Sequence, residues 1–323
     1  MFNYKKRINK LVSLLESNNI KAALVTDKTD LLYYTGYKVS DTAFLVVDTK
    51  THPKLLLSPL DNEAEKLDLD VSFVSKKNDL NFLKKYKQII FDENDLSARR
   101  FKFVKKLVKL KEGSKIMKQP RTVKEPKEIE LVRMAVKITK DAQKDLEFVG
   151  KTEKQVASHI DIKFREQRAD NAFDTIVASG ENGFFIHHTP SEKKINKGEL
   201  VILDSGAKHK DYCADLTRTF SSNLNKSSKL VLEDVKEMQG KIIDFLEPGK
   251  TFKEIQKFYE KLMQKKKYKV MHSFGHGIGL SVHESVETLE KNTLVTVEPG
   301  VYLKPGGCRI EDIILIKDKP RVL

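Results

Sequence analysis

Hydrophobic positions in the first third of the chain alternate between helical spacing and short continuous runs. Ile8, Leu11, Leu14 and Leu15 fall on one face of a helix. Short apolar runs, which are typical of buried strands, follow at residues 22–25, 43–47, 54–57, 71–74 and 88–91. This alternation predicts a small α/β domain over residues 1–115.

The pattern changes after this region. Pro120 and Pro126 fall in a stretch without apolar periodicity, which predicts a linker over residues 116–126. Long helical patterns and then pairs of strand patterns follow, so we expect a second domain of α+β character over residues 127–323. The fold class expected for the whole chain is therefore mixed α/β.

The second domain contains an internal repeat. Its first apolar helical pattern predicts a helix that ends at Gly150, and Thr152 with Gln155 forms a capping-box pattern for the next helix. The same order returns downstream, where Thr251 and Glu254 occupy the equivalent places. Two similar halves predict a domain with a pseudo-twofold axis.

Each half ends in a pair of strand patterns that carries two acidic residues. In the first half, residues 201–220 read VILDSGAKHKDYCADLTRTF, with polar turn formers in the middle. A turn centred between His209 and Lys210 would pair Asp204 directly with Asp215, roughly 5 Å apart at Cβ on one face. Two carboxylates so close repel each other, which indicates a bound cation.

The second half repeats this arrangement in the strand patterns TLVTVEPGVYL and CRIEDIILI. A turn centred on Lys304 and Pro305 would place Glu298 opposite Glu311. Each of the four acidic residues alone could be a turn former or an exposed strand carboxylate. Two acidic hairpins in similar context favour a shared site instead.

A histidine completes the candidate metal site. His276 lies in the stretch HSFGHGIGLSVHE, whose glycines allow the backbone to approach a ligand closely. Four carboxylates and one imidazole are too rich in oxygen for a structural zinc site, and they suit a pair of divalent ions. The candidate ligands are Asp204, Asp215, His276, Glu298 and Glu311.

Two neighbours of these ligands have other predicted roles. Arg309 shares a strand face with Glu311, so it can orient that carboxylate or a substrate. Cys213 shares the face of Asp215, but among hard carboxylate ligands it is interpreted as a small packing residue.

Composition excludes several other classes of protein. The chain has 323 residues and a formal charge of +14, but its lysines are spread along the whole sequence without an aromatic-interleaved basic motif, so nucleic-acid binding is not expected. Cys213 and Cys308 are far apart and predict neither a disulfide framework nor a zinc knuckle. With no signal-length or membrane-length apolar run, we expect a soluble cytoplasmic protein that does not bind membranes.

Several stretches resemble the pita-bread metallopeptidases, in particular the branch of Xaa-Pro aminopeptidases and prolidases. The matching stretches of the second domain are FDTIVASGENGFFIHHTPS, LVILDSGAKHKDYCADLTRTF, HSFGHGIGLSVHES, LVTVEPGVYL and CRIEDIILI. The N-terminal stretch RINKLVSLLESNNIKAALVTDKTDLLYYTGYKV resembles the creatinase-type domain that accompanies this branch. The resemblance implies a creatinase-like N-terminal domain followed by a pita-bread catalytic domain.

The resemblance also implies roles for individual residues. Asp215 and Glu311 would bridge two metal ions, Asp204 would bind one of them, and His276 with Glu298 would bind the other. Mn²⁺ is the metal favoured by the resemblance, with Co²⁺ or Zn²⁺ as alternatives, and the nucleophile would be a hydroxide that bridges the metals. The residues implied in catalysis are His187, His283, Glu298 and Arg309.

Of these catalytic residues, Glu298 would transfer protons. His187 and His283 would contact the substrate amide and the tetrahedral intermediate, while Arg309 would support the site. His188 is the alternative to His187, which is preferred because it follows the strand pattern directly.

The expected function is therefore a dinuclear metal-dependent exopeptidase that cleaves the Xaa-Pro bond in dipeptides or at the N-terminus of longer peptides. We also expect a homodimer. Methionine aminopeptidase is an alternative with the same ligands, although the creatinase-like N-terminal domain argues against it. A non-catalytic peptide-binding module on the same fold is another alternative, and the complete ligand set argues against that.

Overall fold

A computed structural model of the chain describes residues 2–67, 69–74, 77–221, 223–304 and 306–323. Pro305, one of the two residues of the second predicted turn, lies outside this range. The chain divides into two compact units, Met1–Arg121 and Thr122–Leu323.

The first unit is a mixed sheet with helices. Its helices are α1 (Tyr4–Ser17), α2 (Lys28–Thr35), α3 (Ala98–Val104) and α4 (Ser114–Lys118), with 3₁₀ turns at Pro59–Lys66, Lys77–Lys85 and Gln119–Arg121. Its strands are β1 (Ala22–Val25), β2 (Ala43–Asp48), β3 (Lys54–Leu57), β4 (Asp70–Phe73), β5 (Gln88–Phe91) and β6 (Lys109–Glu112). They form one sheet in the order β4-β3-β2-β1-β5-β6, in which β1 is antiparallel to β2 and parallel to β5.

The five strands predicted from apolar runs are confirmed to within one residue at either end. Their apolar side chains form a core with helix α3, where Leu24, Leu56 and Ile89 are buried. Strand β6 was missed because its sequence, KLKE, has a single apolar residue. A charged, mostly exposed strand at the end of a sheet carries no hydrophobic pattern, and its charges discourage pairing with another chain.

The second unit begins with helices and continues into strand pairs. Its helices are α5 (Pro126–Gln143), α6 (Glu153–Glu166), α7 (Lys226–Phe245) and α8 (Phe252–Lys265), with a 3₁₀ turn at Gly180–Phe184. Its longer strands are β8 (Ile176–Ser179), β9 (Val201–Ser205), β12 (Leu216–Phe220), β13 (Leu294–Val297), β14 (Gly300–Leu303), β15 (Gly306–Arg309) and β16 (Asp312–Leu315). Its shorter strands are β7 (Asp170–Asn171), β10 (Ala207–His209), β11 (Tyr212–Cys213) and β17 (Arg321–Val322).

The repeat predicted in this unit is present in its local structure. Thr152 caps α6 and Thr251 caps α8, and both capping boxes are complete. The prediction that the preceding helix ends at Gly150 is wrong, because α5 ends at Gln143 and Asp145 adopts φ 52°. The apolar pattern misled here because Leu146, in the irregular segment that follows, still packs against the core of the first half.

Each half of the second unit has its own hydrophobic core. In the first half, Ile160 and Phe164 of α6 pack with Leu203 of β9. In the second half, Ile255 and Tyr259 of α8 pack with apolar side chains from the strands of the second hairpin. None of the helices in the described ranges combines the length and apolarity that crossing a membrane requires.

Candidate metal centre

The first acidic hairpin forms with a register that differs from the predicted one. Strands β10 and β11 are joined by Lys210 and Asp211, whose φ angles of 47° and 69° are typical of a two-residue type I′ turn. Asp204 therefore pairs with Thr217 and not with Asp215. Asp215 lies two residues before Thr217, so the two aspartates are diagonal neighbours. The misplaced turn centre produced this error.

In the second hairpin the predicted register is confirmed on both sides of the acidic residues. Val297 pairs with Asp312 and Gly300 pairs with Arg309, as a turn at residues 304 and 305 requires. Glu298 lies in the gap between β13 and β14, and Glu311 lies in the gap between β15 and β16. Both glutamates therefore occupy breaks in the strand ladder.

The two hairpins meet at these breaks. The Glu311 backbone N–H donates to the Thr217 carbonyl oxygen over 3.0 Å, and the Thr217 hydroxyl donates to Glu311 Oε2 over 2.9 Å. The Thr219 hydroxyl donates to the carbonyl oxygen of Arg309 over 2.7 Å. Strand β12 thus joins the second hairpin to the first, which places carboxylates from both halves beside each other.

His276 completes the cluster from a third segment. Its Nε2 atom lies 3.5 Å from Asp215 Oδ2, 3.5 Å from Glu298 Oε1 and 3.9 Å from Glu311 Oε1. One ligand atom from each of Asp215, His276 and Glu311 lies within 4.8 Å of the others, a group that could hold a metal ion. The segment is fixed beside β13 because the Thr296 N–H donates to the His276 carbonyl oxygen over 2.8 Å.

The cluster carries more negative charge than its surroundings neutralise. Burial raises the pKa of Asp215 well above its usual value, and the neighbouring Glu311 and Asp204 raise it further. Burial and the Glu311 carboxylate do the same to Glu298, while burial and Asp204 raise the pKa of Glu311 to about 7. Carboxylates that resist ionisation in this way are stabilised by a bound cation.

Three buried carboxylate oxygens point to such a cation. Asp204 Oδ1, Asp215 Oδ1 and Glu311 Oε1 have no hydrogen-bond partner among the described residues. Buried polar atoms without a partner are rare, because each loses its hydration without compensation. The donor set of carboxylates and one imidazole is also the kind that Mn²⁺, Co²⁺ and Zn²⁺ accept. The residues present therefore fit divalent metal ions.

Arg309 contacts a different carboxylate from the one that the strand pattern indicated. Its guanidinium donates to Asp204 Oδ2 over 2.7 Å, to the Thr217 hydroxyl over 3.1 Å and to the Tyr302 hydroxyl over 2.8 Å. It therefore orients Asp204 directly and reaches Glu311 through Thr217. The sequence reasoning missed Thr217 and Tyr302, since neither belongs to a charged or metal-binding type.

The cluster lies in a cavity of about 670 Å³ whose lining includes further histidines. His187 is exposed there, and the His283 ring lies 4.2 Å from the His276 ring, centroid to centroid. Burial lowers the pKa of His283, as does the nearby His276. His272, another lining residue, forms a hydrogen bond of 2.8 Å between its Nε2 atom and the Tyr302 hydroxyl. The predicted site residues therefore share one cavity.

The two adjacent histidines in the cavity wall differ in their surroundings. His188 Nε2 lies 2.8 Å from Glu153 Oε2, a fully buried carboxylate outside the cavity lining. No described residue forms a hydrogen bond with His187. The His187 ring is thus available to a substrate, whereas His188 contributes to the structure of its loop.

The surroundings of Cys213 fit a packing role. Its side chain is buried, and its thiol donates to the Leu280 carbonyl oxygen over 3.6 Å. Burial raises the pKa of the thiol to about 12, so the thiolate that metals bind is absent at neutral pH.

Gly275→Ala is expected to lower the free energy of unfolding by about 2 kcal/mol, because a methyl group there would overlap the Thr296 carbonyl oxygen. Gly240→Ala is the matched control, since Gly240 is exposed within α7 with no described neighbouring atom within 4 Å of an added methyl group. Removing a glycine from a helix interior should stabilise by about 0.5–1 kcal/mol. Urea unfolding measures both changes, and a stabilised Gly275→Ala variant would contradict the close approach.

Comparison with known proteins agrees with this geometry. Residues 130–318 match metallopeptidase family M24, and residues 7–123 match the creatinase/prolidase N-terminal domain. The Xaa-Pro dipeptidase of Pyrococcus furiosus is 30% identical to this chain, and the aligned region spans 97% of this chain and 96% of the dipeptidase. A putative Xaa-Pro aminopeptidase of Mycoplasma pneumoniae is 31% identical, and the aligned region spans 98% of this chain and 96% of the aminopeptidase.

The crystal structure of the prolidase from Pyrococcus horikoshii OT3 superimposes with a TM-score of 0.91 at 28% identity, covering 98% of this chain and 97% of that one. The fold class and the resemblance inferred from the sequence are thereby confirmed. The chain belongs to metallopeptidase family M24, with a creatinase/prolidase N-terminal domain before its catalytic domain.

Proposed function

We propose that this metallopeptidase is a dinuclear exopeptidase that hydrolyses the bond between an N-terminal residue and proline, in dipeptides or longer peptides. The observation that supports it most directly is the set of three buried carboxylate oxygens, on Asp204, Asp215 and Glu311, for which the described part of the chain offers no hydrogen-bond partner. The one cation that bonds to these carboxylates among the described residues, Arg309, reaches only Asp204 Oδ2. Two divalent ions bound there would provide positive charge and would activate water for hydrolysis near neutral pH.

The residues that would hold the ions are those inferred from the sequence: Asp204, Asp215, His276, Glu298 and Glu311. We favour Mn²⁺, with Co²⁺ or Zn²⁺ as alternatives, because the carboxylate-rich donor set suits a hard or borderline ion. Arg309 supports the centre by keeping Asp204 in place.

Three residues would act on the substrate itself. Glu298 would accept and return a proton, since its carboxylate lines the cavity 3.5 Å from His276 Nε2. His187 and His283 line the cavity beside the carboxylates, where their N–H groups can donate to the substrate carbonyl and to the charge that develops on it. The lowered pKa of His283 favours its neutral form, which has one donor and one acceptor nitrogen.

Preference for proline in the second position is proposed from the names of the relatives, since the similar proteins are called Xaa-Pro dipeptidase and putative Xaa-Pro aminopeptidase. We further propose a homodimer in the cytoplasm, whose reducing conditions suit the free Cys213 and Cys308.

A substrate panel tests the proposal. Manganese-loaded protein is expected to release the N-terminal residue from Met-Pro, from Met-Pro-Ala or from both at least about 10²-fold faster than from Met-Ala, the selectivity that a pocket shaped for one side chain can supply. The readout is free methionine measured by chromatography. Rapid cleavage of Met-Ala with Met-Pro untouched would instead favour the methionine aminopeptidase alternative, and the dipeptide-to-tripeptide ratio separates a dipeptidase from an aminopeptidase.

A further inference from the structure

One buried carboxylate binds both ends of the loop that carries His187. Glu153, the first residue of α6, is 0% exposed. Its Oε1 accepts from the Ser179 N–H and hydroxyl, both over 2.8 Å. Its Oε2 accepts from the Ser191 N–H over 3.1 Å and from the Ser191 hydroxyl over 2.6 Å. Ser179, the last residue of β8, and Ser191 are the two ends of this loop, residues 179–191, so the Glu153 side chain holds the two ends together.

The same carboxylate also binds the middle of the loop. The Asn182 amide donates to Oε1 over 3.0 Å and to Oε2 over 3.1 Å, and His188 Nε2 lies 2.8 Å from Oε2. His187 is the residue next to His188, so the backbone that orients the His187 ring is fixed by a direct neighbour. All these partners of Glu153 belong to residues 179–191.

The surroundings of Glu153 favour its ionised form, which accepts hydrogen bonds on both oxygens. Burial alone would raise its pKa, but hydrogen bonds from Ser191, His188 and Ser179 outweigh burial and lower the pKa to about 2. Its place in the first turn of α6 adds the favourable field of a helix N-terminus. A neutral amide could not accept from all these donors, since one of its two polar atoms is itself a donor.

Glu153 has no direct access to the chemistry. It is absent from the described lining of the cavity, and the histidine that it contacts is His188, the chain neighbour of His187. His283, on the other hand, is followed directly by Glu284, which a separate buried ion pair fixes: Lys124 Nζ lies 2.8 Å from Glu284 Oε2. Loosening the first loop should therefore leave His283 in place.

We propose that Glu153 is a positioning residue for the hydrolysis proposed above, on which this inference rests: it fixes residues 179–191 so that the His187 ring faces the reacting carbonyl. Its effect on the reaction passes through His187 and not through His283. Small displacements of a group that stabilises the transition state are costly, about 10²-fold in rate for 1 Å.

A double-mutant cycle tests this route. Glu153→Gln is expected to lower kcat by about 10- to 100-fold with little change in KM. Combined with His187→Ala, it should cause almost no further loss, whereas combined with His283→Ala its effect should multiply. Losses that multiply with His187→Ala as well would overturn the proposal, because a general structural defect acts independently of which histidine is present.

Hydrogen exchange followed by mass spectrometry provides a readout that does not depend on activity. Peptides covering residues 179–191 should exchange faster in Glu153→Gln, while those covering β13 to β16 should exchange as in the wild type, which also shows that the variant is folded. Glu192→Gln is the matched control: Glu192 lies beside this loop, but it is exposed and pairs with exposed Lys154. Its kcat and exchange should equal those of the wild type.

The two proposals fail in different ways. If the wild-type protein leaves Xaa-Pro peptides intact, the proposed function is wrong, and the exchange of residues 179–191 alone decides whether Glu153 fixes the loop. If the wild-type protein is active and exchange in this loop is unchanged in Glu153→Gln, the positioning role is wrong and the function stands.

Discussion

Asp215→Asn is expected to lower kcat by more than about 10³-fold, as loss of an essential catalytic group does. Asparagine keeps the shape of the side chain but removes a charged oxygen from the group formed with His276 and Glu311. Metal ions should then bind more weakly. The wild-type protein should gain about 2.7 kcal/mol of stability from metal at 100 times its Kd, and the variant should gain much less. Peptide assays and thermal unfolding with Mn²⁺ or EDTA measure both effects.

Asp211→Asn is the control for this change. Asp211 lies at the tip of the same hairpin with φ 69°, a conformation that asparagine tolerates well. Its activity and its response to metal should match those of the wild type. Because the pKa of Asp215 is raised, its charge destabilises the metal-free protein, so Asp215→Asn should not unfold more easily in EDTA. If Asp215→Asn retained wild-type activity, the dinuclear mechanism would be wrong.

Arg309→Met is expected to lower the free energy of unfolding by about 3–5 kcal/mol in EDTA, the usual cost of removing one partner of a buried ion pair. The side chains of Arg309 and Asp204 are 3% and 12% exposed. Methionine would leave the Asp204 carboxylate without the guanidinium that neutralises it, beside the three other carboxylates of the cluster. Urea unfolding at pH 7.5 measures this loss.

Two variants separate charge from packing. Arg218→Met removes an arginine from the neighbouring strand β12, where a side chain 29% exposed pairs with Asp312 and donates to the Glu311 carbonyl oxygen, and its cost should be smaller, about 1.5–3 kcal/mol. Adding Asp204→Asn to Arg309→Met removes the unpaired charge and should restore part of the stability. A double variant as unstable as Arg309→Met alone would show that the loss comes from packing.

Local patterns predicted the elements of this fold well where one face of an element is buried. The alternating and continuous apolar runs located β1 to β5, and the Thr-x-x-Gln and Thr-x-x-Glu patterns located the starts of α6 and α8. The end of α5 and the charged strand β6 were not predictable in this way. Leu146 follows the helix but is partly buried by tertiary contacts, and β6 is a strand through hydrogen bonds to β5.

The candidate metal site shows the same division. Its five candidate ligands were named from two acidic hairpins and a glycine-rich histidine segment, because residue type and chain order are properties of the sequence. The partners that orient those ligands were not predictable. Thr217 contacts Arg309 only because β12 meets the second hairpin, and Tyr302 contacts it across the strand pair β14 and β15.

By itself the sequence determined which residues this metallopeptidase brings to its centre: the carboxylates Asp204, Asp215, Glu298 and Glu311, with His276. The tertiary structure decided how they meet. A one-residue shift of the turn, to Lys210 and Asp211, makes Asp204 and Asp215 diagonal neighbours, and Arg309 turns to Asp204 from the other hairpin. The physical reason is that hairpin register depends on backbone twist at the turn, and charge pairing depends on which strands pack together. Neither is encoded in the spacing of residues along one strand.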